Sequence, residues 1–162
     1  MANPIPIATA FRQELKRVFL TVPGVVEVDD VKRPLESIKN YPVILFKCSG
    51  KTTWNRGRTF TCQYEQRRNI DVWFVVRADE NELTDEKAEA IQFLLFQVLS
   101  ADLQAGTIRK NLFSKTNGAG CAELLHIWPE GEPEFSVYTD KKGIAICEMT
   151  FYAEIRHSEY NI

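Results

Sequence analysis

Asn69-Ile70-Asp71-Val72-Trp73-Phe74-Val75-Val76-Arg77 leads, after a polar break, into Asp85-Glu86-Lys87-Ala88-Glu89-Ala90-Ile91-Gln92-Phe93-Leu94-Leu95-Phe96-Gln97-Val98-Leu99 and on to Leu103. β-Branched and aromatic residues dominate the first half, as a strand prefers. Val72 to Val76 is apolar on both parities, the pattern of a strand covered on both faces. The second half reads as a helix: Thr84 is placed to cap it, Asp85 and Glu86 suit its dipole, and Gly106 stops it. At 100° per residue its Ala88, Ile91, Leu94, Leu95, Phe96, Val98, Leu99 and Leu103 spread over roughly 200°, well beyond a one-sided stripe. Phe93 lies outside even that arc. It is either a single exposed aromatic, a residue packed under a loop, or a contact between subunits. A strand feeding a helix with this apolar surplus predicts a layered domain that assembles. The second face of Val72–Val76 then needs a loop, a further strand layer or another copy of the chain.

Upstream of that stretch, Pro4 and Pro6 make an extended lead-in and Thr9 is placed to cap a helix running to about Leu20. Phe11, Leu15, Val18 and Phe19 fall at helical spacing within it. Val22-Pro23-Gly24 ends the helix, and Val25–Val28 reads as a brief edge strand. Asp29 to Asn40 reads as a loop with at most one helical turn. Tyr41 to Cys48 is a strand opened by Pro42, where a missing N–H costs least. From Arg58 to Arg77 the chain is extended again. At about 3.3 Å per residue that run is far longer than a typical strand. It is therefore bent or bulged near Gln66–Asn69, or its first half projects as a hairpin arm, 47–68, pairing Lys47–Thr53 with Arg58–Arg68. Projection is the preferred reading.

Downstream, Thr107 to Phe113 reads as a short amphipathic turn or connection and 114–120 as a flexible loop. Cys121 to Trp128 is a strand, Pro129 to Pro133 breaks it, and Phe135–Tyr138 is short and extended. Thr139–Gly143 reads as a hairpin turn. Ile144 to His157 is a long alternating strand, with Ala145, Cys147, Met149, Phe151, Ala153 and Ile155 on one face. Its other face, with Ile144, Tyr152 and Arg156, meets a wetter or shared surface. The whole is a single α+β domain, 1–162. Its mostly antiparallel sheet has about four to five strands, two main helices pack on one face, and a β-hairpin projects.

The 162 residues are 44% hydrophobic and 26% charged, an ordinary globular composition. A net charge of -2 argues against a generally basic nucleic-acid binder. Cys48, Cys62, Cys121 and Cys147 form no close pairs, so they read as reduced thiols in a cytoplasmic setting, without a structural metal. The N-terminus lacks the pattern of a signal peptide, and no apolar run approaches the ~20 residues of a membrane span.

Phosphate-loop, dinucleotide, nucleophile-elbow and zinc-protease motifs are absent from the sequence. His126 and His157 are far apart, and a lone His in a strand reads as structural. The acids at Asp79–Glu82 and Glu130–Glu134 read as solvated loop charges. Catalytic, cofactor and metal residues are therefore not assigned. What stands out is placement: Lys51, Arg56, Arg58, Arg67 and Arg68 share the proposed arm with Trp54, Phe60 and Tyr64. Cation plus aromatic suits either single-stranded nucleic acid or a protein interface, and the acidic total favours protein. Trp54, Arg56, Arg58, Arg67, Arg68, Trp73 and Phe93 are the candidate interface residues.

In its order of elements the chain resembles the tail-terminator (tail-completion) proteins of lambda-like, long-tailed bacteriophages. The likeness rests on the N-terminal helix, the loop with Arg33-Pro34 and the strand opened by Tyr41-Pro42. It continues through Ile70–Val75, the acidic entry to the helix Asp85–Leu103, and the last strand Ala145–Ile155. The segments 50–68 and 129–143 are longer than that pattern, and nothing is carried over to them. The resemblance implies a virion structural protein rather than an enzyme, made in the host cytoplasm and carried in the tail. Such a protein forms a homohexameric ring on the head-proximal end of the tail tube, stops tube polymerisation and offers a surface to the head connector. DNA passes through the lumen unread. The implied partners are itself, the tail-tube protein and neck proteins, with no membrane. Other readings are a different phage neck or head-completion protein, or a nucleic-acid-binding module using the 51–68 arm.

Overall fold

The computed structural model describes residues 5–31, 33–49, 55–56, 63–77, 84–116, 122–138 and 144–158. Helices α1 (Ile7–Leu20), α2 (Thr84–Ala105) and α3 (Thr107–Thr116) form one layer. The sheet contains β1 (Glu27–Asp29), β2 (Val43–Ser49), β4 (Gln63–Arg77), β6 (Ile144–Ser158) and β5 (Glu123–Tyr138), in the spatial order β1-β2-β4-β6-β5. The two-residue β3 (Asn55–Arg56) pairs with β4. Among the described residues only the β1–β2 pair is parallel; the other ladders are antiparallel. The expected α+β architecture holds; the brief edge strand falls at Glu27–Asp29 rather than Val25–Val28, and the loop that follows it contains one 3-10 turn, Leu35–Ser37.

Period-two alternation decides which residues face the helices. Val72, Phe74 and Val76 of β4, with Cys147, Met149 and Phe151 of β6, lie in the main core beneath Phe11, Leu15 and Leu95. Phe19 meets Phe46 edge-on with ring centroids 5.2 Å apart, and Phe96 meets Phe151 at 5.6 Å. A fully buried ring such as Phe19, Phe46 or Phe151 contributes about 1.5–3 kcal/mol. On α2, Ile91, Leu95 and Leu99 are buried while Leu94, Phe96, Val98 and Leu103 pack partly against the same core. The broad apolar arc is used.

The other parity of Val72–Val76 is covered within one chain, which corrects its reading as a sign of assembly. Trp73 and Val75 belong to a second cluster with Ile38, Val43, Leu45 and Ile144, and Tyr41 packs against it from the loop after the 3-10 turn. Trp73 is 7% exposed and Val75 1%.

The long strand is straight in register. All of β4 pairs with β6 without a shift, from Gln63 opposite Ser158 to Arg77 opposite Ile144, so the bulge considered at Gln66–Asn69 is absent. The hairpin pairs Asn55 with Glu65 and Arg56 with Tyr64, and Lys47 stands opposite Asp71 rather than in the expected arm register. β6 flanks the return strand on its other side, so this hairpin extends the sheet. Residues 50–54 and 57–62 of the arm lie outside the described residues.

Three local expectations are corrected. Helix α1 starts at Ile7 with Pro6 at its N-cap, so Thr9 is not the cap; Ala10 N–H donates to the Pro6 carbonyl at 2.9 Å. Thr107–Thr116 is a full helix, so 114–116 is not loop; residues 117–121 lie outside the described residues. Gly106, at φ 70°, ends α2 in a conformation that glycine adopts without strain. Its carbonyl then accepts from Lys110 N–H to open α3, and Asp102 Oδ1 accepts from Ile108 N–H at 3.0 Å. Finally, Pro129–Pro133 does not end a strand. On this sheet-edge strand, a proline's missing N–H costs no ladder bond where it faces outward, and the misfit is absorbed as bulges. Gly131–Pro133 stand opposite Met149 alone, between the Glu130–Thr150 and Glu134–Glu148 pairs. The expected turn at 139–143 lies outside the described residues. No single helix among them is long and apolar enough to cross a membrane.

Candidate functional site

The sheet face away from the helices carries a polar and aromatic surface. A bulge at Leu125 builds it. Leu124 pairs with Ile155 and His126 with Glu154, so Leu125 is the extra residue. Leu124 and Ile127 are thereby both buried, while His126, Trp128 and Glu130 share the outer face. Without that extra residue in the count, strict alternation assigns Leu124 and His126 to one side.

Four side chains then stack across three strands. His126 and Trp128 have ring centroids 4.2 Å apart, and Trp128 meets Tyr152 edge-on at 4.2 Å. The Arg67 guanidinium carbon stands 3.4 Å above the centre of the Tyr152 ring. Carboxylates surround the stack: Glu130 reaches Arg67 at 3.4 Å and Glu154 reaches His126 Nε2 at 3.1 Å. Glu65 pairs with Arg156 at 3.3 Å, and Thr150 Oγ1 donates to Asp71 at 3.0 Å. Trp128 and Tyr152 are half-buried, so each leaves ring surface available to a partner. Tryptophan, tyrosine and arginine are the residues enriched where protein interfaces concentrate their energy. The two arginines already face carboxylates, which weakens any attraction for a phosphate backbone.

The candidate residues divide by location. Arg67 belongs to this surface. Arg68 points to the helix side, where its Nε donates to buried Gln66; burial pushes its guanidinium pKa down. Trp73 is buried inside its own subunit, so it offers no free contact surface. Phe93 is 62% exposed on α2, as a contact residue requires. Arg56 lies on β3; Trp54, Arg58 and the side chain of Arg56 lie outside the described residues, as do Asp79–Glu82. The sequence pattern does not group His126, Trp128 and Tyr152 as a cluster. The outward set on the last strand was visible, but their meeting depends on the bulge.

On the opposite side, Glu14 ties the three helices together. It is 1% exposed and accepts from Lys115 at 2.7 Å, Asn111 at 2.7 Å and Arg17 at 3.1 Å. Arg17 continues to Asp102 at 3.0 Å. Burial alone raises the Glu14 pKa, but the three donors outweigh it and hold the carboxyl below its ordinary value. The arrangement is a structural ion network. Burial pushes the Cys48 and Cys147 thiols up to about 11, which suppresses the nucleophilic thiolate. A cleft of about 250 Å³ lies between α3 and β5, lined by Ile108, Leu124, Leu125 and His126. That is below the range of ordinary small-molecule pockets, roughly 300–1,000 Å³. Among the described residues no group of three or more His, Cys, Asp or Glu side chains could hold a metal ion.

No family model and no curated protein matches the chain. It is similar to a solved chain from the "Virion of native gene transfer agent (GTA) particle". The TM-score is 0.47 at 11% identity, covering 93% of this chain and 92% of that one.

Proposed function

We propose that this chain is a structural virion protein that caps the head-proximal end of a phage tail tube as a homohexameric ring. In that role it stops tube polymerisation, presents a surface for head joining and lets DNA pass without reading it. It is assembled in the host cytoplasm and carried in the tail, with tail-tube and neck proteins as partners. The reading draws on the likeness in element order described above. The structural observation that carries it is a pair of unlike exposed surfaces on opposite sides of the sheet. One is the Arg67–Tyr152–Trp128–His126 stack; the other is the helix layer with exposed Phe93. A closed ring needs this asymmetry, because one patch of each subunit must complement a different patch of its neighbour.

A neck or head-completion role would use the same two surfaces with a different partner. The test is light scattering with negative-stain imaging, on the protein alone and with tail-tube protein. Rings that bind tube ends and halt their growth are expected. A chain that remains monomeric and leaves tube length unchanged sinks the proposal.

A further inference from the structure

Helices α1 and α3 present an unusually one-signed surface for a chain of net charge -2. They carry Arg12, Lys16, Arg17, Arg109, Lys110 and Lys115, while their single carboxylate, Glu14, is buried. Arg12, Lys16 and Leu20 follow one another along the exposed side of α1, and Lys110 and Phe113 share that of α3. Lys16 and Lys110 form no ion pair with another described residue. Leu20 is 52% exposed and Phe113 48%. Each of these exposed apolar side chains thus stands beside one of those two lysines on its own helix.

The opposite side of the molecule has the reverse character. On the face of the His126–Trp128–Tyr152 stack lie Glu65, Asp71, Glu130, Glu148 and Glu154, against Lys47, Arg67 and Arg156, with Arg77 at the far end of β4. Glu130 balances Arg67, Glu65 balances Arg156 and Lys47 stands opposite Asp71, which leaves Glu148 and Glu154, the latter beside His126, in excess. Each copy thus bears both halves of one complementary pair, on opposite sides of a two-layer fold.

We infer that the α1/α3 face of one copy docks on the aromatic, acidic sheet face of a second copy, with Phe113 against Trp128 and Tyr152. Lys16 and Lys110 meet Glu148 and Glu154 across the joint. The junction is head-to-tail, and it rests on the ring reading above only for its closure. Electrostatic complementarity of this kind fixes partner and register and weakens as salt screens it.

The test is charge reversal read by sedimentation and multi-angle light scattering, with circular dichroism to verify folding. Wild type is expected to associate at low salt and dissociate as salt rises. Lys16→Glu with Lys110→Glu, or Glu148→Lys with Glu154→Lys, should each raise the dissociation constant roughly tenfold or more. All four reversals in one chain should restore association. An equal mixture of the two double variants should associate in alternation, since both junctions between unlike variants are matched while each variant alone repels itself. A wild-type chain monomeric at low salt, reversals without effect, or failure of the fourfold variant to recover would overturn the inference. So would duplex DNA bound through Lys16 and Lys110 while self-association is unaffected. Open chains that obey the charge swap would keep this junction and remove the ring. Rings indifferent to the swap would do the opposite.

Discussion

Arg67 and Arg68 are neighbours in sequence and lie on opposite faces of one strand. Arg67 stands 3.4 Å over the Tyr152 ring on the open face, while Arg68 donates to Gln66 on the helix side. The pleat separates two identical side chains into an exposed contact group and a half-buried one.

Arg67→Ala should therefore lower folding stability by only about 0.5–1 kcal/mol, the worth of an exposed cation–π contact with a surface ion pair. Its larger effect should fall on self-association. Paired urea melts and sedimentation would check this; a loss of stability with association intact would contradict the assignment.

Trp73 and Phe93 should separate in the reverse sense. Trp73→Ala empties a buried site and is expected to cost about 3–5 kcal/mol. Phe93→Ser, at a position 62% exposed, should leave stability within about 0.5 kcal/mol. Thermal and chemical denaturation of both variants gives the comparison, and a destabilised Phe93→Ser would place that ring under cover.

The Glu14 network predicts an acid-sensitive contribution. Its folded pKa lies below the ordinary 4.5, so its ion pairs stabilise fully above that value. They are lost as pH falls through the lowered one. Glu14→Gln should cost roughly 1–3 kcal/mol at neutral pH, discounted because Arg17 and Lys115 are each about a third exposed. The gap between variant and wild type should close towards acid pH in urea titrations. A gap independent of pH would mean that packing, not charge, carries the site.

Cys48 and Cys147, with thiols near pH 11 rather than 9, should hold about one hundredth of the ordinary thiolate fraction at pH 8. Alkylation followed by peptide mass mapping should find both slow in the native protein and fast in denaturant. Rapid native labelling of Cys147 would show that the core beside Phe74 opens readily.

Much of this fold is legible because its strongest signals are local. Phe11, Leu15, Val18 and Phe19 announce α1 by spacing, and Val72–Val76 announces the central strand by composition. Where the fold departs from the sequence pattern, longer-range contacts override local punctuation. Gly106 ends one helix, yet Asp102 from that helix helps to start the next, and Ile108, Leu112 and Thr116 at four-residue spacing were the available sign. Pro129 and Pro133 would break a central strand but are accommodated on an edge. The doubly apolar strand could not reveal whether a loop or another subunit covers its second face; Ile38 and Tyr41 supply part of that cover from a stretch with little pattern of its own. The stack of His126, Trp128 and Tyr152 depends on an extra residue at position 125, and no periodicity rule reports a bulge before the partner strand is known.

The unbroken β4–β6 ladder has a mechanical consequence. At about 3.4 Å per residue, its two strands run side by side for ~50 Å. A pull along the strand axis loads the whole row of hydrogen bonds at once, whereas a peel from Arg77 and Ile144 opens them pair by pair. The subunit should thus resist shear strongly and peeling weakly. Optical-trap unfolding with handles placed for each direction would measure that anisotropy, and equal rupture forces would refute it.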